Sequence, residues 1–378
     1  MIVQIEAIDT LFFRDGKPFE MGDENWANGI FPPLPNAFYG AIRTAYFSQY
    51  PEKLQEWNDG KIEDPTNELR IRGLFLYKEG SIFMSILSEF VTDKNDKEKV
   101  FFQRNALQNV DEVFSSAEID LKPYKTEIEG AQGFLPISML SPLKDFTNDT
   151  QNNLNQSFIK PDSLITAELK VGIGRQNATR TTEEGKLYRV ALNRMEVKGN
   201  PNKKLSFLID VNIEILGTDF QPKFLKLGGE NKLATYKSVE IDIDFPKPII
   251  EKHFKLALLT PTIFEKTKIG RQEGGWLPDC FVYDVQAKAY IGTWKGVKLK
   301  LLRAFVGGSI SVGGFDVKEK QPKMMYRAVP AGTVYHFEIL DNTNSETIYT
   351  IFANPDKPLS DILPEQGFGL SLLGILNN

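Results

Sequence analysis

The chain has 378 residues, 41% of them hydrophobic and 25% charged, with a formal net charge of −5. That length exceeds one ordinary core and favours two domains, with the composition of a folded soluble protein. The single cysteine, Cys280, excludes an intrachain disulfide and a thiolate metal cluster, and the two histidines, His253 and His336, lie far apart in no HExxH-type spacing, so no cofactor or metal is expected.

Ile2 to Ile8 alternates weakly and reads as an opening strand. Asp9-Thr10-Leu11-Phe12-Phe13-Arg14-Asp15-Gly16-Lys17-Pro18-Phe19 follows, and then Phe31-Pro32-Pro33-Leu34-Pro35. Asn36 is a candidate N-cap, with Phe38, Ala41, Ile42 and Ala45 on one helical face until Pro51, where a second short helix starts. Arg70 to Tyr77 and Ser81 to Leu87 flank Lys78-Glu79-Gly80 as a hairpin. Strand, helix, hairpin is the first half of a βαββαβ, ferredoxin-like unit. Asp93 to Lys99 is a solvated charge run, and Asn148 to Gln156 is a polar loop. Strand character returns at Lys204 to Leu216 and Lys237 to Phe245, and Phe245-Pro246-Lys247-Pro248 marks a domain boundary. His253 to Leu259, ending in Thr260-Pro261-Thr262-Ile263-Phe264, repeats the opening in outline, which supports a duplicated β-rich unit. Later strands are predicted near 287–292, 297–305, 333–340 and 348–352.

No run approaches the roughly 18 uncharged apolar residues of a spanning helix, and the N-terminus lacks the order of a signal peptide, so the chain reads as cytoplasmic and free of membrane contact. Net acidity argues against a free-standing, non-specific nucleic-acid binder. Two stretches run the other way: Lys170 to Lys204 holds nine Lys/Arg against three Glu, and Trp294 to Arg303 holds four cations and no acid. The pattern fits a subunit with one RNA-facing surface and other faces for protein partners.

Each motif has a functional and a bland reading. Arg14 and Lys17 among Phe12, Phe13 and Phe19 offer charge plus stacking surface, as single-stranded RNA recognition uses; the phenylalanines taken alone are core. Gly40, inside a helix at a cost of about 1 kcal/mol against alanine, calls for close packing or a ligand's approach. Gly172-Ile173-Gly174-Arg175-Gln176-Asn177 lacks the third glycine of a dinucleotide loop and leads into Ala178-Thr179-Arg180-Thr181-Thr182, either a phosphate-contacting basic loop or a solvated hairpin tip. Gly367 to Gly374 cannot be a P-loop with four residues left after it; it is a turn before a last strand or a loop admitting an RNA backbone. Asp15, Asp23 and Glu24 are solvated loop acids rather than a metal cluster. His253 reads as structural, and His336 as the occupant of a strand face.

Four stretches together are similar to those of a known family. They are Asp9 to Phe19 with Phe31-Pro32-Pro33 and Gly40-Ala41-Ile42-Arg43; Val171-Gly172-Ile173 through Glu184-Gly185-Lys186-Leu187-Tyr188; Leu227-Gly228-Gly229-Glu230; and Gly313-Gly314-Phe315-Asp316 with Pro322-Lys323 and Arg327 to Tyr335. In that order they resemble the RAMP-superfamily subunit, third in the Cmr series, of type III-B CRISPR effector complexes. The resemblance implies an α+β chain of two ferredoxin-like (RRM-like) domains with long insertions. They are set at 1–245, with insertions over about 90–205, and at 246–378. It also implies a non-catalytic subunit that grips the 5′ handle of crRNA, docks the large polymerase/cyclase-like subunit and adjoins the backbone RAMP subunit. The RNA-binding residues expected on this basis are Arg14, Lys17, Arg43, Arg175, Arg180, Lys323, Arg327, Gly367, Phe368 and Gly369. Asn231-Lys232 departs from the pattern, where a basic residue directly after Leu-Gly-Gly-Glu is expected. The alternative is a metal-independent RAMP endoribonuclease processing crRNA precursors, with His253 or His336 as general base.

Overall fold

A computed structural model describes residues 1–14, 27–93, 100–102, 128–140, 157–176, 178–197, 200–217, 219–220, 222–245, 247–266, 274–316 and 321–376. The predicted loop at 148–156 lies outside these residues, as do Asp15, Lys17, Phe19, Asp23, Glu24 and all of the Asp93 to Lys99 charge run except Asp93, which ends a strand. The architecture is α+β, with mostly antiparallel sheets and few helices.

The first sheet draws on strands β1 (Ile2–Ala7), β2 (Ile71–Lys78), β3 (Ser81–Ser85) and β4 (Phe134–Pro136). A long hairpin follows, β5 (Thr166–Arg175) and β6 (Thr182–Arg194), and β7 (Ser206–Val211), β8 (Phe224–Lys226) and β9 (Leu233–Val239) return to the sheet. Its order is β8-β9-β1-β7-β2-β3-β4. Because β7 is antiparallel to both β1 and β2, those two strands run parallel with β7 between them. Helix α1 (Pro35–Gln49) joins them and buries Phe38 and Ile42 completely against the sheet, with the Phe38 ring edge-on to Phe207 at 4.9 Å. The helix start differs from the expectation by two residues. Leu34 is the N-cap, with no side-chain cap, and Pro35 opens the helix, where its missing N–H costs nothing. Asn36 instead sends its amide to the Gly313 carbonyl at 3.3 Å. Pro51 ends α1 and opens α2 (Pro51–Asn58) as predicted. The β2–β3 turn places Glu79 and Gly80 at φ 49° and 84°, the pair of positive angles a twisted two-residue hairpin turn requires.

The second sheet comprises β10 (His253–Leu258), β11 (Val282–Asp284), β12 (Ala289–Trp294), β13 (Val297–Phe305), β16 (Val334–Ile339) and β17 (Ser371–Ile375), in the order β11-β12-β13-β16-β10-β17. Between β13 and β16, β14 (Ile310–Val312) and β15 (Tyr326–Ala328) form a separate ladder. Here β10 and β13 run parallel with β16 between them. Residues 348–352, predicted as a strand, belong to helix α3 (Ser345–Phe352). Thr347, Ile348, Thr350 and Ile351 carry strand propensity, but the Asn344 side chain accepts the Thr347 N–H as a cap, and Ile348 and Phe352, four residues apart, are both fully buried on the sheet.

The two halves meet over an apolar cluster that takes Met84, Ile86, Leu87, Phe90, Leu135 and Met139 from the first half and Ala257, Phe305, Val334 and Leu372 from the second. The Ser88 N–H donates to the Gly332 carbonyl across this seam at 2.7 Å. Gly332 has φ 85°, and a Cβ there would lie 2.2 Å from the Ile86 carbonyl oxygen, so the close approach requires glycine.

Candidate nucleic-acid interface

The opening segment is anchored in protein. Phe12 and Phe13 are core residues, as their bland reading expects. The Leu-Gly-Gly-Glu motif grips them: the Gly229 N–H donates to the Phe12 carbonyl at 2.8 Å, and a Cβ on Gly228 would lie 2.5 Å from that oxygen. Lys232 reaches Asp9 at 3.0 Å and Arg194 reaches it at 3.3 Å; the Lys232 hydrogen bond holds the Asp9 carboxyl below its ordinary value. Lys232 is thus paired within the fold. Arg14 is exposed at an isolated bridge to Gly29, and Lys17 lies outside the described residues.

Arg43 has partners within the fold. Its guanidinium pairs with Asp64 at 2.5 Å and lies 5.4 Å from the ring centre of Trp57 and 5.7 Å from that of Tyr39. The carboxylate and the aromatic rings around this guanidinium tie α1 to α2. Gly40 has open space where its Cβ would be, so packing among the described residues does not explain it.

The β5–β6 hairpin is pinned at its base and bare at its tip. Lys170 pairs with Glu230 at 2.5 Å, and Arg194 bridges Asp9 and Glu168. Beyond that base, Leu169, Val171 and Ile173 line one outward face at 64%, 58% and 55% exposure. Arg175 ends β5 and Arg180 sits in the turn at φ 57°, both exposed. The tip is thus a hairpin turn that carries two exposed arginines.

On the second half, Lys323 and Arg327 are exposed; the Lys323 N–H donates to the Gly314 carbonyl at 2.9 Å, and Arg327 stands opposite Ser311 in the β14–β15 ladder. Arg175, Arg180, Lys323 and Arg327 make no ion pair or side-chain hydrogen bond among the described residues, unlike Arg43, Arg194, Lys170 and Lys232. Gly367 to Gly369 lies inward. Phe368 is fully buried, and a Cβ on Gly369 would lie 2.1 Å from the Ser360 nitrogen, one on Gly367 2.8 Å from Ile71. The space these glycines leave is filled by protein atoms of Ser360, Leu359, Ile71 and Pro35. Phe368 packs instead with Ile263, Val312 and Ala328, and Leu34, Tyr326 and Leu363 close around them. Sequence reading passed over Tyr326 and its neighbours Met324 and Met325; the available signal was a pair of methionines beside a tyrosine and two cations.

The titratable groups at the seam are committed to each other. Glu89, 2% exposed, accepts from His336 Nε2 at 2.5 Å and from Lys255 Nζ at 2.8 Å. Glu338 gathers Lys252 at 2.8 Å, Lys300 at 3.6 Å and His253 at 4.0 Å. No group of three or more His, Cys, Asp or Glu side chains suited to a metal occurs among the described residues. No helix among them is long and apolar enough to cross a membrane.

An α+β chain of mostly antiparallel sheets, with exposed cations on one hairpin tip and one second-half segment, is the class these observations define. Its fold is similar to that of a chain in the type III-B Cmr-beta complex bound to cognate target RNA and AMPPnP, with a TM-score of 0.52, 16% identity, and 89% of this chain and 86% of that one covered. A chain of the same complex bound to cognate target RNA gives a TM-score of 0.51 at the same identity and coverage. The sequence matches the Cas_Cmr3 family of CRISPR-associated proteins over residues 3–376, and the chain belongs to that family. Membership bears out the family resemblance carried by the four sequence stretches. No curated protein matches the sequence.

Proposed function

We propose that this chain is a non-catalytic subunit of a type III-B CRISPR effector complex that holds the 5′ handle of crRNA and docks the large polymerase/cyclase-like subunit. The observation that carries the RNA reading is the contrast among cations. Those at the base of the hairpin and on α1 are consumed by internal carboxylates, whereas Arg175, Arg180, Lys323 and Arg327 are exposed and unpaired among the described residues. Exposed cations without carboxylate partners are what counterion release from a phosphodiester chain needs. We read each large sheet as a ferredoxin-like unit short of one helix: the first keeps the helix between its parallel strands, the second the helix before its last strand, with the division near residue 245. The ribonuclease alternative gains nothing from the geometry, since His336 is buried against Glu89 and His253 lies beside Glu338.

The test is RNA affinity across a salt series, using guide RNA carrying its handle. Arg175→Ala with Arg180→Ala, and separately Lys323→Ala with Arg327→Ala, should each weaken binding and flatten the dependence of log K on log salt by about 0.7 for each phosphate no longer neutralised. Unchanged affinity and slope in both double variants would remove these residues from the interface.

A further inference from the structure

Where the two halves adjoin, between the start of α1 and the first sheet, the structure holds a cavity of about 210 Å³. We infer that it is a binding site for one small, uncharged, apolar molecule about the size of a single aromatic ring, independent of the RNA-binding reading above. Filling it fastens the two halves to each other.

The walls come from both halves. On the first sheet, Phe207 of β7, Leu76 of β2 and Phe83 of β3 stand directly opposite one another and form one side. The stretch before α1 supplies Phe31 and Leu34, and the second half supplies Leu259, Ile310 and Ala331. No charged side chain is among the described walls, and every wall residue is buried or half-buried. Ser85 and Thr260 bring the hydroxyls of these walls, and the Thr260 hydroxyl already accepts the Leu370 N–H at 3.0 Å. Water needs about two to four polar partners and is poorly held here, whereas an apolar molecule enters without giving up a hydrogen bond. A phosphate, a nucleotide or an ion would find no counter-charge. An apolar cavity of about 150 Å³ is enough to take up benzene or xenon, so this volume admits one ring. It lies below the roughly 300 Å³ at which pockets for drug-sized ligands begin.

Proline keeps the cavity from closing. Pro32, Pro33 and Pro35 line it from the first half and Pro261 and Pro330 from the second, and each fixes its own φ, so these walls lack the backbone freedom to fold inward. Phe31 stands edge-on to Phe134 at 5.8 Å, which braces the corner beside β4. Leu259 to Pro261 are tied to the inward Gly-Phe-Gly loop: the Leu259 N–H donates to the Leu370 carbonyl at 2.8 Å, and the Gly369 N–H donates to the Pro261 carbonyl at 2.9 Å. The polar backbone of this wall is thus bonded to protein and does not compete for a ligand. Because the walls belong to both halves, a molecule held there touches both, and its binding adds to the stability of the joined form.

The experiment titrates the full chain with fluorobenzene, followed by its fluorine resonance, and then compares urea midpoints with and without benzene. Fluorobenzene should bind the folded chain saturably at one site. With benzene at about ten times its dissociation constant, the ratio of folded to unfolded chain should rise roughly ten-fold, seen as a higher midpoint. Benzoate, the same ring with a charge, should do neither. Ser85→Leu and Ala331→Leu add carbon to the walls from the first and second half, and a variant that keeps a cooperative urea transition should lose both fluorobenzene binding and the benzene effect. The Met84 methyl, which lines the cavity, gives a reading that needs no filled variant: its resonance, assigned with Met84→Leu, should move as benzene is added, while those of the exposed Met324 and Met325 stay. Absence of saturable fluorobenzene binding, a Met84 methyl that does not respond, equal binding of benzoate, or undiminished binding in a folded Ser85→Leu or Ala331→Leu chain would each overturn the assignment.

Discussion

At the scale of single residues, the most consequential group is Glu89, a carboxylate taken out of water and returned to stability only by two partners from the other sheet. Burial pushes its carboxyl up, but the His336 hydrogen bond and the Lys255 charge outweigh burial and hold it below the ordinary 4.5. Burial pushes the His336 imidazole below its ordinary 6.5, against the opposing pull of Glu89. Both shifts act in the same sense. As pH falls below 6.5 the unfolded chain takes up the histidine proton before the folded chain does, and below 4.5 it takes up the carboxyl proton first. The stability contributed by this cluster is therefore present at neutral pH and lost in two stages on acidification. Urea midpoints measured from about pH 7.5 down to about pH 4 should fall along that course. His336→Gln should flatten the decline between about pH 6.5 and 5, and an unaltered slope in that variant would show that His336 does not govern it.

At the scale of elements, turns and helix ends were the most legible features, because they depend on local chemistry. Pro51 stopping one helix and starting another, and Glu79-Gly80 closing a hairpin, follow from residue types alone. The α3 segment was misread because β-branched residues mark strand propensity, while its helix depends on a cap from Asn344 and on burial against a sheet assembled from distant strands. Glycines show the same division. Gly40 sits exposed in α1 with open space around its Cβ position, whereas Gly369 stands at φ 83° with Ser360 filling that position. These two environments predict opposite outcomes for the same change. Gly40→Ala should raise the chain's stability by about 1 kcal/mol through helix propensity alone. Gly369→Ala should lower it by about 1–3 kcal/mol or more, from strained backbone and a clash with main chain. Chemical denaturation of the protein without RNA separates them; a neutral Gly369→Ala would show that neither the backbone angle nor Ser360 demands glycine there.

At the scale of the whole molecule, the seam between the sheets was the least legible part. Lys255 and His336 stand 166 and 247 residues from Glu89 along the chain, so no window of sequence contains the pattern. A family resemblance supplied two units, but not the shared apolar cluster or the buried ion group that joins them. That seam makes the halves interdependent, since Met84, Leu87 and Phe90 lose their cover if the second sheet unfolds, and Ala257, Val334 and Leu372 lose theirs if the first does. Unfolding of the parent protein should then be a single transition, with the same urea midpoint reported by a variant keeping only Trp57, in the first half, and by one keeping only Trp294, in the second. Glu89→Ala tests the coupling. It removes the carboxylate that His336 and Lys255 share at the seam, a loss of about 3–5 kcal/mol for a broken buried pair. Because that loss falls on the contact between the halves and not on either sheet's own core, the two tryptophan reporters should separate into distinct midpoints. Reporters that stay coincident in Glu89→Ala, at a lowered midpoint, would show that the apolar cluster couples the halves without help from the ion group.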